Sequence, residues 1–174
     1  MEVEKNHFCA GIYLRQNPTD FRWEVLVARA ADRYGNVKIK FPGGTNKRSL
    51  WEDKSQTLTR EFTEETDLVP ASYREIHTEV ADGGRHTRHF FICTKVTGDF
   101  TRSFKEFTEP DGDHIVVRFW DLGDFNREIF QGHRPAFMKV CAVLAKVDRH
   151  FSENYPEIVA RLEEQSRIVL QRAC

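Results

Sequence analysis

From His7 to Arg15 apolar and polar residues alternate, setting Phe8, Ala10, Ile12 and Leu14 on one face and predicting a strand. Asn17-Pro18-Thr19-Asp20 has turn composition, and Trp23 to Arg29 returns as a second strand. A polar loop with Gly35-Asn36 leads to a third, Val37 to Phe41, which stops at Pro42-Gly43-Gly44. Ser55 to Thr66 then predicts a helix, with Leu58 and Phe62 four residues apart on its buried face. Two strands follow around Asp82-Gly83-Gly84, roughly Tyr73 to Ala81 and His86 to Val96. The polar stretch Thr97 to Asp113 reads as a long loop, and Ile115 to Trp120 as another strand. From His133 the period becomes helical, with Phe137, Val140, Cys141, Leu144 and Val147 on one stripe. Asn154 before Tyr155-Pro156-Glu157 reads as the cap of a last helix whose apolar face holds Ile158, Leu162 and Val169. Strands with helices between and after them, without repeat or linker, predict a single α/β domain over residues 1–174, its C-terminal helices spanning about 133–172.

Composition narrows the function more by exclusion than by indication. Lys and Arg number 26 against 27 Asp and Glu, a net charge of −1 that argues against broad nucleic-acid coating or a polybasic membrane anchor. No apolar run approaches the ~18 residues of a membrane span, and MEVEKNHF lacks an apolar signal segment, so the expectation is a soluble, cytoplasmic protein without membrane partners. The cysteines, Cys9, Cys93, Cys141 and Cys174, form no CxxC pair and read as buried free thiols rather than disulfides or zinc ligands.

The chemistry concentrates in Gly43 to Leu68. On the predicted helix Glu61 and Glu65 are four apart and Glu61 and Glu64 three apart, so their carboxylates can converge. Like charges at these spacings cost a bare helix roughly 0.2–0.5 kcal/mol per pair. A divalent cation reverses the sign of that cost, and hard cations such as Mg²⁺ take oxygen ligands. An ordinary solvated acidic face is the alternative. Against it stands the strand end Pro42-Gly43-Gly44, where glycine lets the backbone approach a ligand closely.

Arg60-Glu61-Phe62-Thr63-Glu64-Glu65-Thr66-Asp67-Leu68 resembles the end of the Nudix box, G-x5-E-x7-R-E-U-x-E-E-x-G-U with U apolar. Glu52 stands at the matching distance, and the upstream PGG is similar to the family's. Two features depart from the pattern: seven residues rather than five separate Gly44 from Glu52, and Asp67 replaces the last glycine. Asp tolerates a left-handed helix end less well than glycine does.

The resemblance implies a Nudix-type α/β/α sandwich with a mixed central sheet and a C-terminal helical extension. It implies a Mg²⁺- or Mn²⁺-dependent hydrolase that cleaves a pyrophosphate linkage in a nucleotide-like substrate. The metal would be held by Glu61, Glu64, Glu65 and the Gly43 carbonyl, with Asp113 a further carboxylate before the Ile115 strand. Arg60 and Glu52 would support these ligands, and either Glu61 or Glu64 would take a proton from water. Lys38 and Lys40 alternate with Val37, Ile39 and Phe41, so one can face the substrate's phosphates. Arg85, His86, Arg88 and His89 offer a phosphate or RNA contact, though a solvated hairpin end is the plainer reading. Phe21, Trp23 and Tyr34 can stack a base, yet strand aromatics are usually core. Two other functions compete. A non-catalytic nucleotide- or RNA-binding Nudix module need not keep all three glutamates, and isopentenyl-diphosphate isomerase-like chemistry needs a reactive cysteine near the box, where none stands. The C-terminal helices leave apolar surface for a homodimer.

Overall fold

Alternation continues through Tyr13, but the hydrogen-bonding partner changes there, and the first expected strand divides between two sheets. The computed structural model describes residues 6–47, 51–100 and 104–173. Strand β1 (Asn6–Ile12) runs parallel to β7 (His86–Thr97) and antiparallel to β5 (Gly43–Thr45), and β6 (Val69–Ala81) lies antiparallel on the far side of β7. This mixed sheet has the order β5-β1-β7-β6. Beyond Tyr13, β2 (Leu14–Gln16) joins an antiparallel sheet instead. There β3 (Trp23–Ala31) pairs with β2 and β4 (Val37–Lys40) along one edge and with β9 (His114–Asp121) along the other, and β8 (Phe104–Thr108) lies outside β9.

Helix α1 (Lys54–Thr66) covers one face of the mixed sheet. It starts at a capping box in which Asp53 accepts from the Gln56 N–H and Gln56 reaches back to the Asp53 N–H. Leu58 packs with Cys9 and Phe91, and Phe62 with Leu68, Cys93, Ile115 and Val117 between the sheets. Gly11 makes this approach possible, because a β-carbon there would strike the Phe62 ring. The opposite side is covered by α2 (Leu122–Glu128), α3 (Arg134–Val147), α4 (Phe151–Asn154) and α5 (Pro156–Ala173), around a core of Ile12, Phe41, Phe90, Phe125, Phe137 and Tyr155. Cys9, Cys93 and Cys141 are buried free thiols, as expected. Cys174 and part of the inserted loop, residues 48–50, lie outside the described residues.

Several expectations need correction. The supposed loop from Thr97 to Asp113 contains β8, whose partly buried Phe107 packs against the second core. Asn154 is the last residue of α4 rather than a cap, and Pro156 opens α5, where its missing N–H costs nothing. The two apolar stripes outrun the core: Val147 is 73% exposed and Val169 67%. Short α2 carries no periodic signal that sequence reading caught. Phe21 and Tyr34 are exposed, whereas Trp23 packs against the core and donates to Asp148. No described helix is long and apolar enough to cross a membrane.

Candidate active site

Burial of Ile39 and Phe41 on one side of β4 turns Lys38 and Lys40 to the other. The chain then bends through Pro42-Gly43-Gly44 against α1. Both glycines are required by close approach: a β-carbon on Gly43 would strike the β1 backbone at Cys9 and Ala10, and one on Gly44 would strike the Glu61 carboxylate. Buried Glu65 accepts from the Gly43 N–H at 2.9 Å and from Lys40 at 3.0 Å, and Lys40 also donates to the Gly43 carbonyl at 2.8 Å. Thus α1 and the β4–β5 turn are tied through one carboxylate.

Arg60 organises the rest of the helix face. It grips Glu52 with two bonds of 2.5 and 2.8 Å, and its Nη1 reaches Glu61 at 2.6 Å and Glu64 at 3.2 Å. The bidentate pair, with the Lys47 N–H and burial acting in opposite directions, brings Glu52 down to about 2. Burial pushes the Glu61 carboxyl above its ordinary value, and Glu65 and Glu64 add to this while Arg60 opposes it. Gly43, Glu52, Arg60, Glu61, Glu64 and Glu65 therefore stand together, with Lys40 among them.

The further acidic residue expected at Asp113 meets a more detailed arrangement. Among the described residues, Glu109, Asp111 and Asp113 bring their oxygens within 4.8 Å of one another, in the turn between β8 and β9. The box carboxylates are instead paired with cations, Glu65 with Lys40 and Glu61 and Glu64 with Arg60. Burial, with the charges of Glu65, Asp111 and Glu61, raises the Glu109 carboxyl above its ordinary value. Asp113 closes the turn, its carbonyl accepting from the Glu109 N–H, and borders a separate pocket.

That pocket, about 270 Å³, is lined by Lys38, Lys40, His86, Arg88, Asp113 and His133, with Phe8 and Phe130 as walls. Arg85 is exposed on the hairpin and does not line it. His133 is the lining residue that the sequence did not bring forward. His133 belongs to a short turn before α3, and its Nδ1 accepts from the Phe41 N–H.

No protein-family model matches the sequence, and a search of curated proteins finds no match. Solved structures do match. A MutT Nudix hydrolase from Burkholderia pseudomallei is 17% identical with a TM-score of 0.59, covering 79% of this chain and 99% of that one. The Nudix domain of Shewanella oneidensis NrtR, in a complex with ADP ribose, is 14% identical with a TM-score of 0.59 over 82% of this chain and 90% of that one. A structure described as an ADP compounds hydrolase reaches a TM-score of 0.62 at 11% identity, covering 86% of this chain and 78% of its own. Likeness at these identities is likeness of fold, and it agrees with the resemblance carried by the box-like segment: the chain has the fold of the Nudix hydrolases.

Proposed function

We propose that this chain is a divalent-metal-dependent Nudix pyrophosphohydrolase that cleaves a nucleoside diphosphate linked to a further group. The observation that carries the reading is that one helix sets Glu61 and Glu65 against the Gly43-Gly44 turn, with Glu64 beside them on Arg60 and Glu109 near enough for its carboxyl to feel the charges of Glu65 and Glu61. Such a donor set, all oxygen and mutually repelling, fits a hard cation such as Mg²⁺ or Mn²⁺. Glu61, Glu64, Glu65, Glu109 and the Gly43 carbonyl are the groups that would hold it. A bound ion would neutralise the phosphates and make a coordinated water more acidic.

The chain's own residues divide the remaining work. Either Glu61 or Glu64 would accept the attacking water's proton. Arg60 fixes the rotamers of Glu52, Glu61 and Glu64, and Lys40 can donate to a substrate phosphate from its place beside Glu65. The absence of a β-carbon at Gly44 leaves the room in which the Glu61 carboxylate lies against the turn.

A panel of nucleoside triphosphates, ADP-ribose, nucleotide sugars, dinucleoside polyphosphates and capped RNA, each with Mg²⁺ or Mn²⁺, tests this reading. Product masses should show cleavage between two phosphates in at least one compound, abolished by chelation. Tight binding without turnover across the panel would instead support the non-catalytic module.

A further inference from the structure

The pocket beside the box has a composition that the hydrolytic site does not explain. Resting on the proposed hydrolase reading, we propose that Lys38, Lys40, Arg88 and His133 form a phosphate subsite. It selects substrates carrying a phosphate beyond the two joined by the cleaved bond.

Position comes first. Lys40 lines the pocket and also donates to Glu65 and the Gly43 carbonyl, so the pocket and the box share a wall. A ligand bound at the box can therefore extend a group into the pocket. Its volume of about 270 Å³ falls below the ~300–1,000 Å³ of sites that enclose a whole small ligand. That size suits one part of a nucleotide.

Charge and donor inventory then choose the part. Lys38, Lys40 and Arg88 bring positive charge to the pocket, and Asp113 is the carboxylate among the lining residues. Arg88 has its carboxylate neighbour, Glu79, at 4.0 Å, too distant to neutralise it fully, while the Lys38 ammonium lies over the Phe130 ring. Gly132 leaves the space that the Arg88 guanidinium occupies: a β-carbon would come within 2.8 Å of Nη1. His133 adds a neutral donor. It is 3% exposed, and its Nδ1 accepts the Phe41 N–H, which puts the ring proton on Nε2. Burial and the three nearby cations hold the ring well below its ordinary pKa, so this neutral form persists. Three cationic side chains and a buried ring N–H thus line one small pocket, against the single carboxylate of Asp113. A nucleobase edge needs acceptors as well as donors, whereas a phosphate offers acceptors alone.

The test separates this subsite from the hydrolase reading by measuring binding with chelator present, where no turnover is needed. ADP-ribose is compared with its 2′-phosphorylated form, ADP with ATP, and inorganic phosphate is titrated alone. In wild-type protein at least one phosphate-bearing member should bind at least tenfold more tightly than its partner. Arg88→Ala and, independently, the solvent-exposed Lys38→Ala should each reduce that ratio at least fivefold, and Arg88→Lys should restore part of it. With Mg²⁺ the same preference should appear as a ratio of kcat/KM, carried mainly by KM. Equal affinities within both pairs, or ratios unchanged in both alanine variants, would overturn the subsite. So would saturable binding of inorganic phosphate alone with no discrimination between substrates, which would mark a site for a free anion.

Discussion

Glu64 and Glu65 are adjacent in sequence and equal in charge, yet the fold gives them opposite surroundings. Glu65 has 4% of its side chain exposed and is paired with Lys40 and the Gly43 N–H, while Glu64 is 52% exposed and touches Arg60 and Lys47. Replacing either charge should weaken the proposed metal site, but the structural consequences differ. Glu64→Gln should lower turnover at least ~10-fold and leave metal-free stability within about 0.5 kcal/mol of wild type, as expected for an exposed pair. Glu65→Gln should lower turnover and also cost about 2–3 kcal/mol, because Lys40 keeps its charge in a largely buried place without its carboxylate. Denaturant midpoints and steady-state rates read the two effects separately. Equal stabilities for the two variants would show that the Lys40–Glu65 pair has no structural role, and a Glu64→Gln rate within twofold of wild type would remove Glu64 from the site. The residue scale also marks the limit of sequence reading. The glutamate spacing was legible because one helix carries it, whereas His133 meets Phe41 across 92 positions and Glu109 sits in a turn of the other sheet. Neither relation has a local signature.

Helix α1 was legible at both ends for physical reasons that its termini still display. Asp67 takes the left-handed conformation expected of it, with φ of 60°, and its carboxylate accepts from Lys105 at 2.7 Å. Backbone relief and loss of that contact act in opposite directions in Asp67→Gly, so its stability should stay near wild type. Asp67→Ala loses the contact and keeps the strain, and should fall about 1 kcal/mol below Asp67→Gly. A difference near zero between the two in urea unfolding would mean the helix end has rearranged. The Glu52–Arg60 pair gives a second handle on the same element. Glu52 is brought from 4.5 to about 2. Its contribution is therefore complete above pH 4.5 and fades as pH falls from 4.5 towards 2. Glu52→Gln should be less stable than wild type at about pH 6, and that gap should shrink by about pH 3, as read by unfolding midpoints. A gap that stays constant would show that Arg60 does not hold the charge of Glu52. Strand β8 was hidden for the converse reason. Its Phe-Lys-Glu-Phe core does not alternate at all, the two phenylalanines being three residues apart, so no period of two marks it within a polar stretch. The break at Tyr13 was equally silent, since a change of partner strand leaves the alternation intact.

At the scale of the molecule, the candidate site lies where the two sheets meet. Helix α1 and β5 belong with the mixed sheet, the Glu109 turn and Lys40 with the antiparallel one, and the pocket takes residues from both. This explains why a segment of 26 residues, Gly43 to Leu68, carried the resemblance, whereas Lys38, Lys40, His86 and Arg88 could be named singly but not brought together: the pocket they line exists only once both sheets are assembled. The C-terminal helix offers the contrast of an element that extends away from this assembly. Ile158 is buried and Leu162 packs partly against the core, but every residue from 163 to 173 is exposed, including Ile168, Val169 and Leu170. The periodicity that predicts an apolar face over the whole helix thus overstates what this chain buries by itself. An isolated helix of that length is marginal in water, and residues as exposed as these add little apolar burial to the fold. Ending the chain after Glu163 should therefore reduce helical circular dichroism while changing the melting temperature by no more than about 2 °C. Hydrolysis should persist, because no residue of the candidate site lies in the removed segment. A fall of more than about 5 °C, accompanied by a melting temperature that depends on protein concentration only in the full chain, would show instead that this stretch is buried against a second copy.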